Sequence, residues 1–468
     1  MKVNKLLGVA LCALLAACLQ WDARAATTVT SSTPAAWSAG EYVVSGDATI
    51  ASRIEISGNV TLTLTSGTLT APKGIHVGAG AALTIRGTSG KLVVNDVDYN
   101  NAGIGGDVGE ACGNITISGG TVPGAGGYGA AGIGNGTNVA SGGSITISGG
   151  TVNATGGGGG AGIGGGFNPY YVGRRAVGPD ITITGGNVTA IGGFESSGGT
   201  QADGAAGIGG GGCGAGGTIR ISGGTVHATG SEEGPGIGAG YGTAYGGANT
   251  SIEISGSANV TATGGENGAG IGAASDAKAT VRITGGTVNV KGGAGAAGIG
   301  SGGGQEHDST SSITISGGNV TAEGGAGGAG IGSGTGSNGG DSESTVTISG
   351  GTVRATGGSG AAGIGGGNAN SAATVSVTGG SVTATAGSGA TASVSAGQRG
   401  SGTVSVAGLS AAELNSASIS VGGASNNGGT SSLPNTGVDD DRALYALLFA
   451  FSALCACASL RLARRKHA

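Results

Sequence analysis

The feature that most constrains this chain is a short phrase that keeps returning. "ITISGGTV" stands at Ile115 and again at Ile145, then as "ITITGGNV" at Ile181 and "IRISGGTV" at Ile219. It continues as "IEISGSANV" at Ile252, "VRITGGTV" at Val281, "ITISGGNV" at Ile313, "VTISGGTV" at Val346 and "VSVTGGSV" at Val375. Each copy is paired with a G-I-G, whose isoleucines are Ile104, Ile133, Ile163, Ile208, Ile237, Ile271, Ile299, Ile331 and Ile364. Successive copies start 29 residues apart at the closest, Ile252 to Val281, and 38 at the widest, Ile181 to Ile219. Weaker copies at Ile54, Leu83 and Val404 flank the array. A period in this range marks a repeat architecture, not one globular core.

Within a copy the apolar positions alternate. Ile145 and Ile147 point one way, Thr146 and Ser148 the other; after a Gly149-Gly150 corner, Val152 and Ala154 turn inward again. Period two is the strand period, and Ile, Val and Thr suit it. The 114 glycines among 468 residues are therefore read as corners, where positive φ and close approach exclude side chains. Only 7 prolines and 10% charged residues argue against both collagen and a self-repelling coil. A coil of about thirty residues with three short strands cannot bury its aliphatics alone, but neighbours in register can. The expectation is an all-β, right-handed parallel β-helix of about twelve coils, since parallel crossovers are nearly always right-handed. Trp37 to Ser57 and Leu409 to Val421 are the expected end caps, because a bare strand edge invites pairing.

Both ends read as address labels. Lys2 and Lys5 precede an apolar run and Ala23-Arg24-Ala25, a secretory signal with cleavage between Ala25 and Ala26. A rival lipoprotein-like box, "LAAC", ends at Cys18. At the other end stands Leu433-Pro434-Asn435-Thr436-Gly437, followed by Asp439, Asp440 and Asp441, an apolar run from Ala443 to Leu460, and Arg461, Arg464, Arg465 and Lys466. The run is at the short limit of a membrane-spanning helix, and the basic tail holds it on the cytoplasmic side. This layout resembles the sorting signal of sortase-anchored Gram-positive surface proteins. The resemblance implies cleavage between Thr436 and Gly437, an amide bond from Thr436 to peptidoglycan, and a location on the cell wall after a transient stay in the membrane. The expected organisation is signal peptide 1–25, cap and irregular coils 26–103, repeat β-helix 104–390, last coil and cap 391–422, and linker 423–432. The sorting motif 433–437 and the span with its tail, 438–468, complete it.

Residues 26–436 carry 12 Lys and Arg against 21 Asp and Glu, a balance of −9. With no basic stripe, nucleic acid and anionic polymers are poor partners. Enzymatic chemistry finds little footing. The acids are scattered, and His76, His227 and His307 have neither metal nor triad spacing. Cys112 and Cys213 fall about three coil spacings apart, beyond disulfide reach, so two thiols are expected and not a bridge. No cofactor and no metal is expected.

The repeats resemble bacterial carbohydrate-binding parallel β-helix domains of the pectin-binding type, which follow I-T-G-G-T-V with G-D-G-I-D. Here A-G-I-G or P-G-I-G stands where that family has its acids, which are associated with calcium there; the departure puts metal binding in doubt. The resemblance implies a glycan ligand, and the aromatic residues suggest where. Of the ten between 26 and 436, seven lie from Tyr128 to Tyr245. Phe167, Tyr170 and Tyr171 share a long joint with Arg174 and Arg175, and Tyr241 and Tyr245 occupy the equivalent joint two coils on. Rings and guanidinium groups there suit sugar faces and hydroxyls; the alternative is a loop that buries its own rings. The functional expectation is a non-enzymatic, wall-anchored adhesin or stalk, with a purely structural surface protein next and a polysaccharide-acting enzyme last.

Overall fold

A computed structural model describes residues 25–95, 97–168, 176–194, 204–242, 249–304, 308–336, 340–398, 402–408, 416 and 418–421. The leader up to Arg24, with Cys18, the linker, the sorting motif, the apolar run and the basic tail lie outside these residues, as do Tyr170, Tyr171, Arg174, Arg175 and Tyr245. Among the described residues there is no helix, and so none long and apolar enough to cross a membrane.

The described chain is an all-β parallel solenoid with three strands to a coil. The first strand carries the recurring phrase, as in Asp180–Ile183, Thr218–Ile221 and Asn249–Ile254. A return strand follows, as in Asn187–Ile191 and Thr225–Thr229. The third is a two- or three-residue strand at each G-I-G, as in Ile208–Gly209 and Ile237–Ala239. Each pairs in parallel with its counterpart in the next coil, and like residues stack: Ile181 on Ile219, Val188 on Val226, Ile208 on Ile237.

The third stack runs without a break through twelve layers, from Ile54 and Ile75 through Ile104 to Ile364 and Val394. Its isoleucines are wholly buried, so each contributes roughly 1.5–3 kcal/mol of gross burial. This register also corrects one expectation. Ile54 is not a copy of the recurring phrase: it pairs with Ile75 in the G-I-G stack, and Val60 and Leu62 hold the phrase's place, opposite Leu83 and Ile85. Leu83 and Val404 do occupy that place, opposite Ile115 and Val375.

Between first and return strands only the second glycine of each pair needs its freedom. Gly150 has φ +82° and Gly318 +88°, where L side chains are strained. At the N-terminal end, Trp37 is buried, stacks on Tyr42 with centroids 4.3 Å apart, and donates its indole N–H to Pro34 O at 2.9 Å. Its strand, Ala36–Val44, pairs in parallel with Ile54–Leu64, and Thr27–Thr28 pairs with its other side. At the other end, Ser418–Val421 turns back antiparallel on Ser381–Thr385, which stops the parallel stacking there. Along the outward face, Arg220, Glu253 and Arg282 are in register, with one long ion pair, Arg220 Nε to Glu253 Oε2 at 3.8 Å.

Candidate functional site

The joint between return strand and G-I-G is a four-residue turn that recurs coil after coil. It closes by Ala130 N–H to Gly127 O at 2.9 Å, Gly160 N–H to Gly157 O at 2.6 Å, and Gly268 N–H to Gly265 O at 2.9 Å. The third residue takes positive φ where it is Gly or Asn, as at Asn100 (+69°), Gly129 (+76°) and Asn267 (+58°), but not at Glu233. Only Gly and Asn adopt that conformation routinely, which is why they stand there in most of the other turns. The second residue is the apex and points to solvent.

In coil order the apices are Tyr99, Tyr128, Gly158, Phe194, Glu232, Glu266, Ala294, Ala326, Ser359 and Ser388. Phe194 belongs with them because the N–H of Gly193 bonds to Gly160 O as that of Gly157 bonds to Ala130 O. Tyr99, Tyr128 and Phe194 are 75%, 37% and 57% exposed. The rings of Tyr99 and Tyr128 lie 5.5 Å apart at 32°.

A second row flanks the apices, four residues past each G-I-G isoleucine. Its backbone N–H reaches the preceding coil's turn: Phe167 to Gly129 O at 2.6 Å, Tyr241 to Gly204 O at 2.8 Å, Thr335 to Gly295 O at 2.7 Å. Phe167 and Tyr241, both expected on sequence grounds, therefore share one row, with Gly212 between them, and both are half-buried. Five rings, Tyr99, Tyr128, Phe167, Phe194 and Tyr241, thus gather on one corner of the solenoid. Tyr99, Tyr128 and Phe194 are the members that sequence reasoning missed. Counting back five residues from Ile104 and Ile133 would have found the first two.

A second cluster sits in the first coils. His76 Nδ1 lies 2.5 Å from Glu55 Oε2, and Nε2 lies 2.8 Å from Glu110 Oε2. Beside it the buried Arg53 guanidinium donates to Lys73 O at 2.8 Å and Ala102 O at 2.9 Å, and pairs with Asp107. The acids are thus not all scattered, since stacking brings Glu55, His76 and Glu110 together. With both imidazole nitrogens engaged, the cluster acts as a clamp across coils. Among the described residues no group of His, Cys, Asp and Glu is placed to hold a metal. His227 is an exposed strand residue between Thr189 and Thr261, and His307 lies outside the described residues. Cys112 and Cys213 are unbridged, as expected.

A family model for the beta helix repeat matches seven segments: 145–167, 181–212, 219–241, 252–275, 281–303, 313–335 and 346–368. The chain carries beta helix repeats. Each match runs from the first apolar residue of the recurring phrase to the flanking-row residue, so one matched repeat is one structural coil. No curated protein and no solved structure matches the chain.

Proposed function

We propose that this beta helix repeat chain is a non-enzymatic, cell-wall-anchored surface protein that binds glycans along the aromatic corner. The observation that carries the reading is the exposed Tyr99–Tyr128 pair at 5.5 Å, continued by Phe194 and flanked by Phe167 and Tyr241. Exposed rings in a row offer apolar faces to sugar C–H surfaces, and neighbouring Asn100 and Asn101 offer polar groups to hydroxyls. Anchoring rests on Leu433 to Gly437 with the apolar run and basic tail behind it. Sortase is then a partner that processes the chain, and peptidoglycan a covalent one through Thr436.

The test is binding of the full-length chain to a panel of polysaccharides and mucin-type glycoproteins, beside a Tyr99→Ala/Tyr128→Ala variant. Each exposed ring contributes about 1 kcal/mol of stacking, so the double variant loses ten- to a hundredfold in affinity. Binding that survives unchanged removes the corner as the site. No binding to any member of the panel leaves a purely structural surface protein. For anchoring, Thr436→Ala leaves the chain in the membrane fraction, whereas equal partition of variant and parent to the wall defeats that part.

A further inference from the structure

Past Phe194 the apex row changes character. The next two apices are Glu232 and Glu266, both exposed, and neither forms an ion pair among the described residues. Then the apex side chains shrink to Ala294 and Ala326, and the surface sinks into an open trough of about 390 Å³. Glu266 and Ser359 stand at its ends, with Asn267, Thr335 and Asn368 along it. The amide of Asn267 lies over Gly295, where a Cβ would come within 2.3 Å of its Oδ1. Thr335 Oγ1 donates to Gly327 O at 2.9 Å and keeps its lone pairs for a ligand. The rings, the carboxylates and this amide- and hydroxyl-lined hollow lie on the same rows of successive coils, at about 4.8 Å per coil. Among the described residues they fall along one axial line of turns.

We infer that this line of turns takes a linear polysaccharide bearing free amino groups, and that Glu232 and Glu266 select the amines; the inference rests on the glycan reading above. Rings at one end stack on pyranose faces. In the middle, two carboxylates without cationic partners suit ammonium groups, with the exposed Phe194 ring one coil away adding a cation–π face. A polyuronate would set its own carboxylates against theirs. At the far end, small apices let the chain approach the turns, where Asn267, Thr335 and Asn368 meet its hydroxyls. Shape fits an extended polymer, and charge chooses its chemistry.

The test is calorimetry on the full-length chain with β-1,4-linked glucosamine oligomers, their fully N-acetylated counterparts and oligogalacturonate. The amino oligomer binds at least tenfold tighter than the acetylated one, the preference narrows as salt rises, and oligogalacturonate binds weakest. Glu232→Gln/Glu266→Gln removes the preference for the amino oligomer; Glu253→Gln, on another face, leaves that preference as it is in the parent chain. Equal affinity for amino and acetylated oligomers, or a preference that survives the double substitution, overturns the inference. If the acetylated oligomer still binds and Tyr99→Ala/Tyr128→Ala abolishes it, the glycan reading stands without amine selection. If no oligomer binds, the amine inference falls, and the polysaccharide and mucin panel decides the glycan reading by itself.

Discussion

His76 and Glu110 meet across one coil boundary, Nε2 to Oε2 at 2.8 Å, while Glu55 holds the other side of the same ring. Burial works against the imidazolium, but the bonds to Glu110 and Glu55 outweigh it and hold the His76 pKa above its ordinary value. A raised folded-state pKa contributes stability that is fully present below the unfolded value, about 6.5, and is lost as pH rises through the folded one. Glu55 and Glu110 are half-exposed, which keeps the contribution near that of a surface pair, roughly 0.5–1 kcal/mol. His76→Gln should therefore lower the melting temperature most near about pH 6 and hardly at all near about pH 9. A pH-independent difference would show that the ring contributes packing and not charge.

The two described cysteines differ in reach. Cys112 is buried beneath Gly143, and burial pushes its thiol up to about 12. Cys213 is only partly buried. Since the thiolate is the reactive form, a thiol reagent at neutral pH should modify Cys213 in the native chain and reach Cys112 only after denaturant is added. Peptide mapping reads both sites. A cross-linked peptide joining Cys112 to Cys213, or equal native labelling, would contradict the structure.

The solenoid was legible because its buried positions obey one rule in every coil. Inward residues must stack on their like, so Ile208 repeats Ile163 and Val226 repeats Val188, and the period shows through variable joints. The apex row obeys no such rule. Its side chains face solvent, so Tyr128, Gly158, Glu232 and Ala294 share a position without sharing chemistry, and nothing in their identities announces the row. The long joint after Ile163 drew attention through its composition, whereas the exposed pair Tyr99–Tyr128 emerges only from register. The His76 clamp was hidden for the same reason. Glu55 and His76 each follow an isoleucine of the third stack, but "IEIS" at Ile54 imitates the recurring phrase and so suggests the wrong stack. One misplaced isoleucine concealed a contact between residues 21 apart.

Glycine substitutions separate two demands that the array makes at once. Gly300, in the third stack, has φ +142°, and a Cβ there would lie 1.9 Å from Gly332 O. That oxygen accepts the N–H of Ser301 at 3.0 Å, so the added methyl strikes the bonds that join two coils. Gly389 has φ +81°, but a Cβ on it meets nothing within 4 Å. Gly389→Ala carries only the conformational penalty, about 1–2 kcal/mol. Gly300→Ala carries a conformational penalty together with the clash and the loss of inter-coil pairing, so it should cost clearly more. Chemical denaturation of the two variants measures the difference. In a solenoid whose coils touch mainly their neighbours, Gly300→Ala should also split a single unfolding transition into two by uncoupling the coils on either side. Equal losses for the two variants would mean that backbone freedom alone, without close packing between coils, explains why glycine occupies the third stack.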